Sequence, residues 1–494
     1  MKSVLEYLEN NESNNLIVDI NGTLSYKELE IKAKRVGSYL AGVVKKNAPV
    51  PVFMEKSREA LVTFIGTLYA GGFYSLLNTS LPEARLKQIM SVLDVNYIIT
   101  NKEYEEKIRE FFPEINVILY EDIVDTEINL EKLSAIREKM VDTDPVYANF
   151  TSGSTGVPKG VLVGNRSIID FIDNYVDTFK FSSLDVIGNQ APFDFDVSVK
   201  DIYTALKTGA TLVIIPKEYF INPAKLIDYL IEYKVSSLTW AVSALCFLTT
   251  FHGFDYKVPK YVKKVLFSGE VMPYKHLKMW MDNLPDAMFV NLYGPTEVTC
   301  NCTYYIIDRN VLYDKIPIGV SFNNEDVFLV QEDMEVVLED NIKGEICVRG
   351  SALALGYYNN MEQTKKAFRQ NPCHNKYIDL VYMTGDLGYY KEGILYFSGR
   401  KDFQIKYLGH RIELEEIDKA IGSIEQVKRV VTIFVESKNK LCAFYIGDIE
   451  KGEIQKILKE ELPQFMIPTK LMQMEDLPLT KNGKIDRKQL EEYI

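Results

Sequence analysis

The amino-acid sequence predicts a large N-terminal α/β domain, made of parallel α/β layers plus a β-rich subdomain, followed by a small α+β C-terminal domain. Three observations carry this prediction. Short β-rich runs alternate with amphipathic stretches at helical spacing over most of the chain, the pattern of parallel α/β layers. From about Ile316 to Gly399 the pattern turns strand-rich, with glycines at 319, 344, 350, 356, 385, 388 and 393. After Arg400, alternating helix and strand patterns resume in a segment large enough to bury a core of its own.

The elements follow in order. Asn96–Thr100, Asn116–Tyr120, Thr211–Ile215, Ser237–Ala241, Lys264–Phe267 and Met288–Leu292 read as strands, and Pro223–Tyr233 as an amphipathic helix. Ala60 to Pro82 carries no charge, yet Gly66, Gly71, Gly72, Asn78, Thr79 and Ser80 punctuate it. That composition predicts a helix, a turn and a strand rather than a membrane span. In the last part, helix–strand patterns recur in Glu413–Ile421, Val427–Val435, Leu441–Ile446 and Gly452–Leu462. The expected boundary divides residues 1–400 from 401–494, at a charged junction between Gly399 and Gly409.

Charge excludes several functions. The 494 residues hold 57 Lys and Arg against 69 Asp and Glu, a net charge of −12. Counterion release from a polyanion needs clustered basic residues, so neither a nucleic-acid binder nor a basic membrane-surface protein is expected. A basic pocket for a single nucleotide stays compatible with that balance. Six cysteines are too few for a disulfide framework, and Cys300 and Cys302 form a lone C-x-C, a weak zinc signal. The N-terminal MKSVLEYLENNESNN is acidic where a signal peptide needs an apolar core. The expectation is a soluble cytoplasmic protein.

The strongest local signal is Ala148–Val163, ANFTSGSTGVPKGVLV. Thr151, Ser152, Gly153, Ser154, Thr155 and Gly156 bring small hydroxyl and glycine residues whose backbone N–H groups surround phosphate oxygens, and Lys159 adds a point charge. It is not a Walker A loop, because Lys159 precedes Gly160 rather than following a G-x-x-x-x-G. With LSYKEL at Leu24–Leu29, YAGGFYSLLNTSLPEARL at Tyr69–Leu86, NLYGPTE at Asn291–Glu297, GEICVRG at Gly344–Gly350, YMTGDLGYY at Tyr382–Tyr390, GRKDFQIKYLGHRIELEEID at Gly399–Asp418 and LPLTKNGKIDRKQL at Leu477–Leu490, this loop resembles the adenylate-forming enzymes. That superfamily includes acyl-CoA synthetases, luciferases and peptide-synthetase adenylation domains. Within it, the chain is most similar to the amino-acid-activating branch, including free-standing D-alanyl carrier protein ligases.

The resemblance implies that a substrate carboxylate attacks the α-phosphorus of ATP, giving an acyl-adenylate and pyrophosphate. A carboxylate is already a nucleophile, so catalysis is positioning and charge neutralisation. A chain with four histidines and no G-x-S-x-G elbow agrees with that. By resemblance, Asn291 and Tyr293 hold the adenine, with Phe397 beside it. Thr296 meets the α-phosphate and Glu297 holds Mg²⁺. Asp386 accepts the ribose hydroxyls, with Arg400 nearby. Lys484 matches the catalytic lysine, carried by the small domain, and Asp402 matches the hinge about which that domain rotates for thioester formation. Glu415 departs from the pattern, standing where many family members have glycine; an acidic residue suits a helix start.

Ala191–Leu206, APFDFDVSVKDIYTAL, matches the motif that begins the acyl pocket. Asp196 stands where the amino-acid branch binds the substrate ammonium, with Asp194 expected as the helix cap. Motif alignment adds Val197, Lys200, Val242, Leu266, Ser268, Leu292, Cys300 and Asn301. Leu266 and Leu292 restrict volume while Ser268 and Asn301 offer hydrogen bonds, which implies a small or polar amino acid such as alanine, serine or threonine. Lys200 either pairs with a second carboxylate in the pocket or points outward from its helix. Ser268 stands where D-alanyl ligases are expected to carry a cysteine. No D-x-G-G-H-S-L motif follows, so the implied acceptor is a separate phosphopantetheinylated carrier protein rather than CoA. Cell-wall D-alanylation and acyl-CoA synthesis remain the alternatives.

Overall fold

The computed structural model describes residues 2–153, 156–479 and 485–494, with Ser437 described by its backbone alone. Two large sheets organise the first four hundred residues. The seven-stranded sheet runs in the order Gly356–Tyr357, Lys159–Gly164, Pro145–Thr151, Phe73–Leu76, Pro49–Phe53, Tyr97–Thr100, Asn116–Leu119. The nine-stranded sheet has a parallel run through Met288–Tyr293, Lys264–Ser268, Ser237–Ala241, Val186–Asn189, Thr211–Ile214 and Leu16–Asp19, with antiparallel strands at both ends. Every strand expected in this part is present. The uncharged stretch forms the helix Arg58–Tyr69, a turn and the strand Phe73–Leu76. Among the described residues no helix is long and apolar enough to cross a membrane.

Local chemistry explains the helices. Ser25 and Glu28 form a reciprocal capping box at the start of Tyr26–Leu40. Asn222 caps Pro223–Glu232, with Pro223 in the first turn, where its missing N–H costs nothing.

Side-chain alternation along the nine-stranded sheet divides its two faces. Leu266, Val290 and Leu292 join the large apolar cluster built around the helices Tyr26–Leu40 and Arg58–Tyr69, whereas Val265, Phe267 and Phe289 join a second cluster with Trp240 and Trp280. Because Ser237–Ala241, Lys264–Ser268 and Met288–Tyr293 are parallel, their carboxyl ends open on one edge. Open α/β sheets bind ligands at such an edge.

The expected β-rich region forms a five-stranded antiparallel sheet of Glu325–Val330, Gly344–Gly350, Leu380–Lys391, Phe368–Gln370 and Ile394–Arg400. Near the C-terminus, Val427–Val435, Lys440–Gly447 and Lys470–Gln473 make a three-stranded sheet with the helices Leu414–Gly422 and Lys451–Glu461. Its core holds Ile412, Ile417, Ile421, Ala443, Ile454 and Leu458.

The described residues gather into two compact units. One is drawn from Met1–Asn78, Val95–Asn149 and Val161–Lys401, the other from Thr79–Asp94, Phe150–Gly160 and Asp402–Ile494. The phosphate-loop segment and the helix Glu83–Leu93 thus group with the C-terminal residues, which a division drawn along the sequence does not anticipate.

Candidate active site

The helix Val197–Thr208 begins the segment expected to line the acyl pocket. Asp196 occupies its N-cap position and is only 9% exposed, yet its side chain makes no capping hydrogen bond. Asp194 is not the cap expected of it. Its Oδ2 accepts from Asn78 Nδ2 at 3.1 Å, and Ser198 Oγ ties the turn by donating to the Phe195 carbonyl at 2.7 Å.

One helical turn after Asp196, Lys200 points inward. It is 1% exposed, and its Nζ donates to Asn301 Oδ1 at 2.6 Å and to Ser268 Oγ at 3.4 Å. Three expected pocket positions, far apart in sequence, therefore meet at one ammonium. Leu266 and Leu292 lie on the same sheet face, both buried, and Val197 is buried at the helix start. Cys300 Sγ donates to the Asp196 carbonyl at 3.0 Å, and burial, then the Asp196 charge, push its thiol far above the ordinary range. The backbone turns left-handed at Thr299 and Cys300, with φ of 50° and 80°, strain of the kind found where a loop must aim side chains. Gly294 permits it, since a Cβ there would lie 2.4 Å from Asn301 Cα. Val242 differs from the rest: it packs in the second cluster, with Trp240 and Leu245.

On the nucleotide side, the structure joins Tyr293, Asp386 and Arg400. Tyr293 Oη donates to Asp386 Oδ2 at 2.6 Å, and Arg400 Nη1 donates to Asp386 Oδ1. Burial and the Asp386 carboxylate push the Tyr293 phenol far above its usual range, so it stays a donor at working pH. Asp386 is presented from the strand Leu380–Lys391, which pairs with Ile394–Arg400 so that Asp386 faces Arg400 in register. Phe397 lies on that second strand, half-buried against the large cluster. Asn291 donates through Nδ2 to the Pro317 carbonyl at 2.7 Å, which fixes its amide. Thr296 begins a single turn whose next residue, Glu297, is 1% exposed and accepts from Tyr357 Oη at 2.7 Å.

Among the described residues no group of three or more His, Cys, Asp or Glu forms a metal cluster. One buried carboxylate still fits Mg²⁺, which commonly binds through one or two carboxylates together with substrate phosphates and water.

The phosphate-loop residues Thr151, Ser152, Gly153, Gly156 and Lys159 belong to the second unit. Ser152 Oγ donates to the Arg411 carbonyl at 2.7 Å, and Lys159 Nζ lies 4.0 Å from Glu413 Oε1. A Cβ on Gly153 would lie 2.2 Å from the Val157 carbonyl, which explains a glycine there. Ser154, Thr155 and Lys484 lie outside the described residues. Asp402 is exposed and accepts from the Gln404 N–H at 3.2 Å. Glu415 falls in the first turn of Leu414–Gly422, where its charge suits the helix dipole.

Sequence reasoning missed the groups beside Lys200. Asp201 Oδ2 accepts from Asn189 Nδ2 at 2.9 Å, and Lys56 Nζ donates to Asn189 Oδ1 at 3.1 Å and to the Gln190 carbonyl at 2.7 Å. Burial raises the Asp201 carboxyl to about 7 against the pull of Asn189, Lys200 and Lys56, and burial lowers Lys56 to about 7. The signal available was position: Asn189 ends a central parallel strand, at the edge where ligands bind.

Comparison with known proteins places the chain in a family. The AMP-binding enzyme family matches residues 6–358. A D-alanine–D-alanyl carrier protein ligase of Listeria monocytogenes serovar 1/2a is 33% identical, covering 95% of this chain and 94% of the relative. One of the same name from Bacillus cytotoxicus is 30% identical over 94% of each. The solved adenylation domain AlmE of Vibrio cholerae, in complex with glycyl-adenosine-5'-phosphate, shares the fold, with a TM-score of 0.85, 21% identity and coverage of 99% of this chain and 97% of its own. The chain belongs to the AMP-binding enzyme family and is an adenylate-forming ligase.

Proposed function

We propose that the protein activates an amino acid with ATP and passes it to the phosphopantetheine thiol of a separate carrier protein. The observation that carries this reading is Asp196: a nearly buried carboxylate at the pocket helix that does not cap its helix. A carboxylate at that place can receive a substrate ammonium in a charge-assisted hydrogen bond. The names of the Listeria and Bacillus relatives, and the glycyl adenylate held by AlmE, support the same class.

In the first half-reaction an oxygen of the substrate carboxylate attacks the α-phosphorus, and the bond to the bridging oxygen breaks as pyrophosphate leaves. Asn291 and Tyr293 would seat the adenine, Asp386 and Arg400 the ribose, and Thr296 the α-phosphate. Glu297 would hold Mg²⁺, which neutralises phosphate charge when bound. Lys159 and Lys484 would meet the anionic oxygens. In the second half-reaction the carrier thiol attacks the acyl carbon and AMP leaves. We assign Asp402 as the pivot between the two, with residues 401–494 as the mobile lid. ATP chemistry and the few cysteines favour a cytoplasmic setting.

The relatives' names favour D-alanine as an alternative substrate; Ser268 and Lys200 in the pocket weigh against it. An acyl-CoA synthetase is the remaining alternative, and Asp196 argues against it. Amino-acid-dependent pyrophosphate exchange tests the reading: exchange with acids that carry an amine is expected. Exchange only with acids lacking one would overturn it.

A further inference from the structure

We propose that Glu325 is a positioning residue for the adenylate-forming reaction: through residues 351–354 it holds the turn that presents Glu297. The inference goes beyond the amino-acid reading and rests on it only for the assignment of Glu297 to Mg²⁺.

The connection can be followed atom by atom. Glu325 begins the strand Glu325–Val330 and lies opposite Gly350, the last residue of the neighbouring strand. Its Oε1 accepts from the Ala352 N–H at 2.9 Å, where the chain has just left that strand. The Ala352 carbonyl accepts in turn from Thr299 Oγ1 at 2.6 Å, and the Ala354 N–H donates to the Glu297 carbonyl at 2.9 Å. Residues 351–354 thus hold the turn Thr296–Val298 and the residue after it, and Glu325 fixes the first of the two contacts. Tyr357 holds the Glu297 carboxylate itself, so this segment sets the backbone from which that carboxylate hangs.

Two features set the arrangement apart. Thr299 is β-branched and fully buried, yet its φ is 50°. Such a residue stays left-handed only where its surroundings hold it, and the bond to Ala352 is one such hold. Glu325 is 9% exposed, and its Oε2 is buried with no hydrogen bond among the described residues. A carboxyl with one oxygen idle is a poor choice for stability alone, which leaves the contact made by the other oxygen to explain it. Gly350 makes the room, since a Cβ there would lie 2.6 Å from Oε2. Burial, opposed by the Ala352 N–H and aided by Asp170, raises the Glu325 carboxyl to about 8. It is therefore uncharged at neutral pH, and glutamine is its close counterpart. Beyond Ala352 the chain is tied independently, by Ser167 Oγ to the Leu353 carbonyl at 2.7 Å and by the Leu355 N–H to the Leu162 carbonyl at 2.8 Å. Losing the Glu325 contact should loosen the turn without releasing the segment. The competing reading is that Glu325 only closes the end of its strand.

The experiment is calorimetric titration of the full-length protein with ATP, once with Mg²⁺ and once with EDTA. Glu325→Ala leaves the Ala352 N–H without its acceptor, and is expected to weaken ATP binding about tenfold with Mg²⁺ but less than about twofold in EDTA. Glu325→Gln keeps an acceptor oxygen and is expected to restore most of the affinity. Thr299→Val removes the hydroxyl from the other side of Ala352 and is expected to give the same Mg²⁺-dependent loss, so a misfolded Glu325→Ala cannot hide the answer. Equal losses with Mg²⁺ and in EDTA would overturn the inference, because a merely structural role does not separate the two titrations. Glu297→Gln is the control on the reading beneath. If it weakens Mg²⁺-supported binding while Glu325→Ala and Thr299→Val do not, the inference is overturned and the assignment of Glu297 stands. If Glu297→Gln leaves Mg²⁺-supported binding unchanged, that assignment falls and the inference falls with it.

Discussion

The nucleotide side and the acyl pocket hold their charges in different ways. Around Asp386, the partners are themselves expected site residues: the Tyr293 phenol on one oxygen and the Arg400 guanidinium on the other. Around Lys200, hydrogen bonds run to two expected pocket residues, and Asp201, next in sequence, is tied through Asn189 to Lys56. The first arrangement suits a ligand that never changes. If ATP binds there as proposed, it would meet a carboxylate already held by two partners. The second suits a ligand that differs between enzymes of one family, since changing a few side chains on the floor alters what fits above it.

This contrast predicts how damage should spread. Asp386→Ala is expected to have the largest effect, about 1,000-fold or more in kcat/KM. The loss should be the same for every acid tested, because ribose positioning is common to all of them. A loss that varied with the acid would erase the distinction between the two sides. Asp196→Ala is expected to cost about 100-fold, and only with substrates that carry an α-amine. Its checking measurement is exchange with an amino acid beside the matching acid without the amine. Equal losses for the two would show that Asp196 shapes the pocket without binding an ammonium.

Legibility divided along the same line. Tyr293, Thr296 and Glu297 sit in one heptapeptide, and Asp386 lies in another short motif, so contiguous sequence carried most of the residues assigned to the nucleotide. The parallel strands were also readable, because buried β-rich runs bounded by helical patterns leave few alternatives. Pocket positions were only partly readable. Ser268 ends one strand and Asn301 follows the turn after another, and only the sheet register collects them. The direction of Lys200 depended on a rotamer and on the strained turn at Thr299 and Cys300, neither of which a periodicity encodes. Lys56 had no pattern at all, since it lies in a connection between the strand Pro49–Phe53 and the helix Arg58–Tyr69. Asp194 was misjudged for a related reason: cap preference is local, whereas its partner Asn78 comes from a distant segment.

The smallest predicted effect sharpens the comparison most finely. Tyr293→Phe keeps the ring but removes the hydroxyl that reaches Asp386. Arg400 remains on the other oxygen, so the carboxylate keeps its charge partner. The loss should therefore be that of one hydrogen bond, about 1 kcal/mol or roughly fivefold. It should appear as a raised KM for ATP with kcat almost unchanged, because the phenol orients the ribose contact without touching the reacting atoms. The effect should be flat across the working pH range, since burial and Asp386 keep the phenol protonated throughout. Tyr293→Ala, which also removes the ring, should be clearly worse. Were the two variants equal, the phenol would be the whole contribution of Tyr293 and adenine stacking on it would have to be given up. Were Tyr293→Phe silent, Arg400 alone would position Asp386, and the nucleotide side would depend on one partner rather than two.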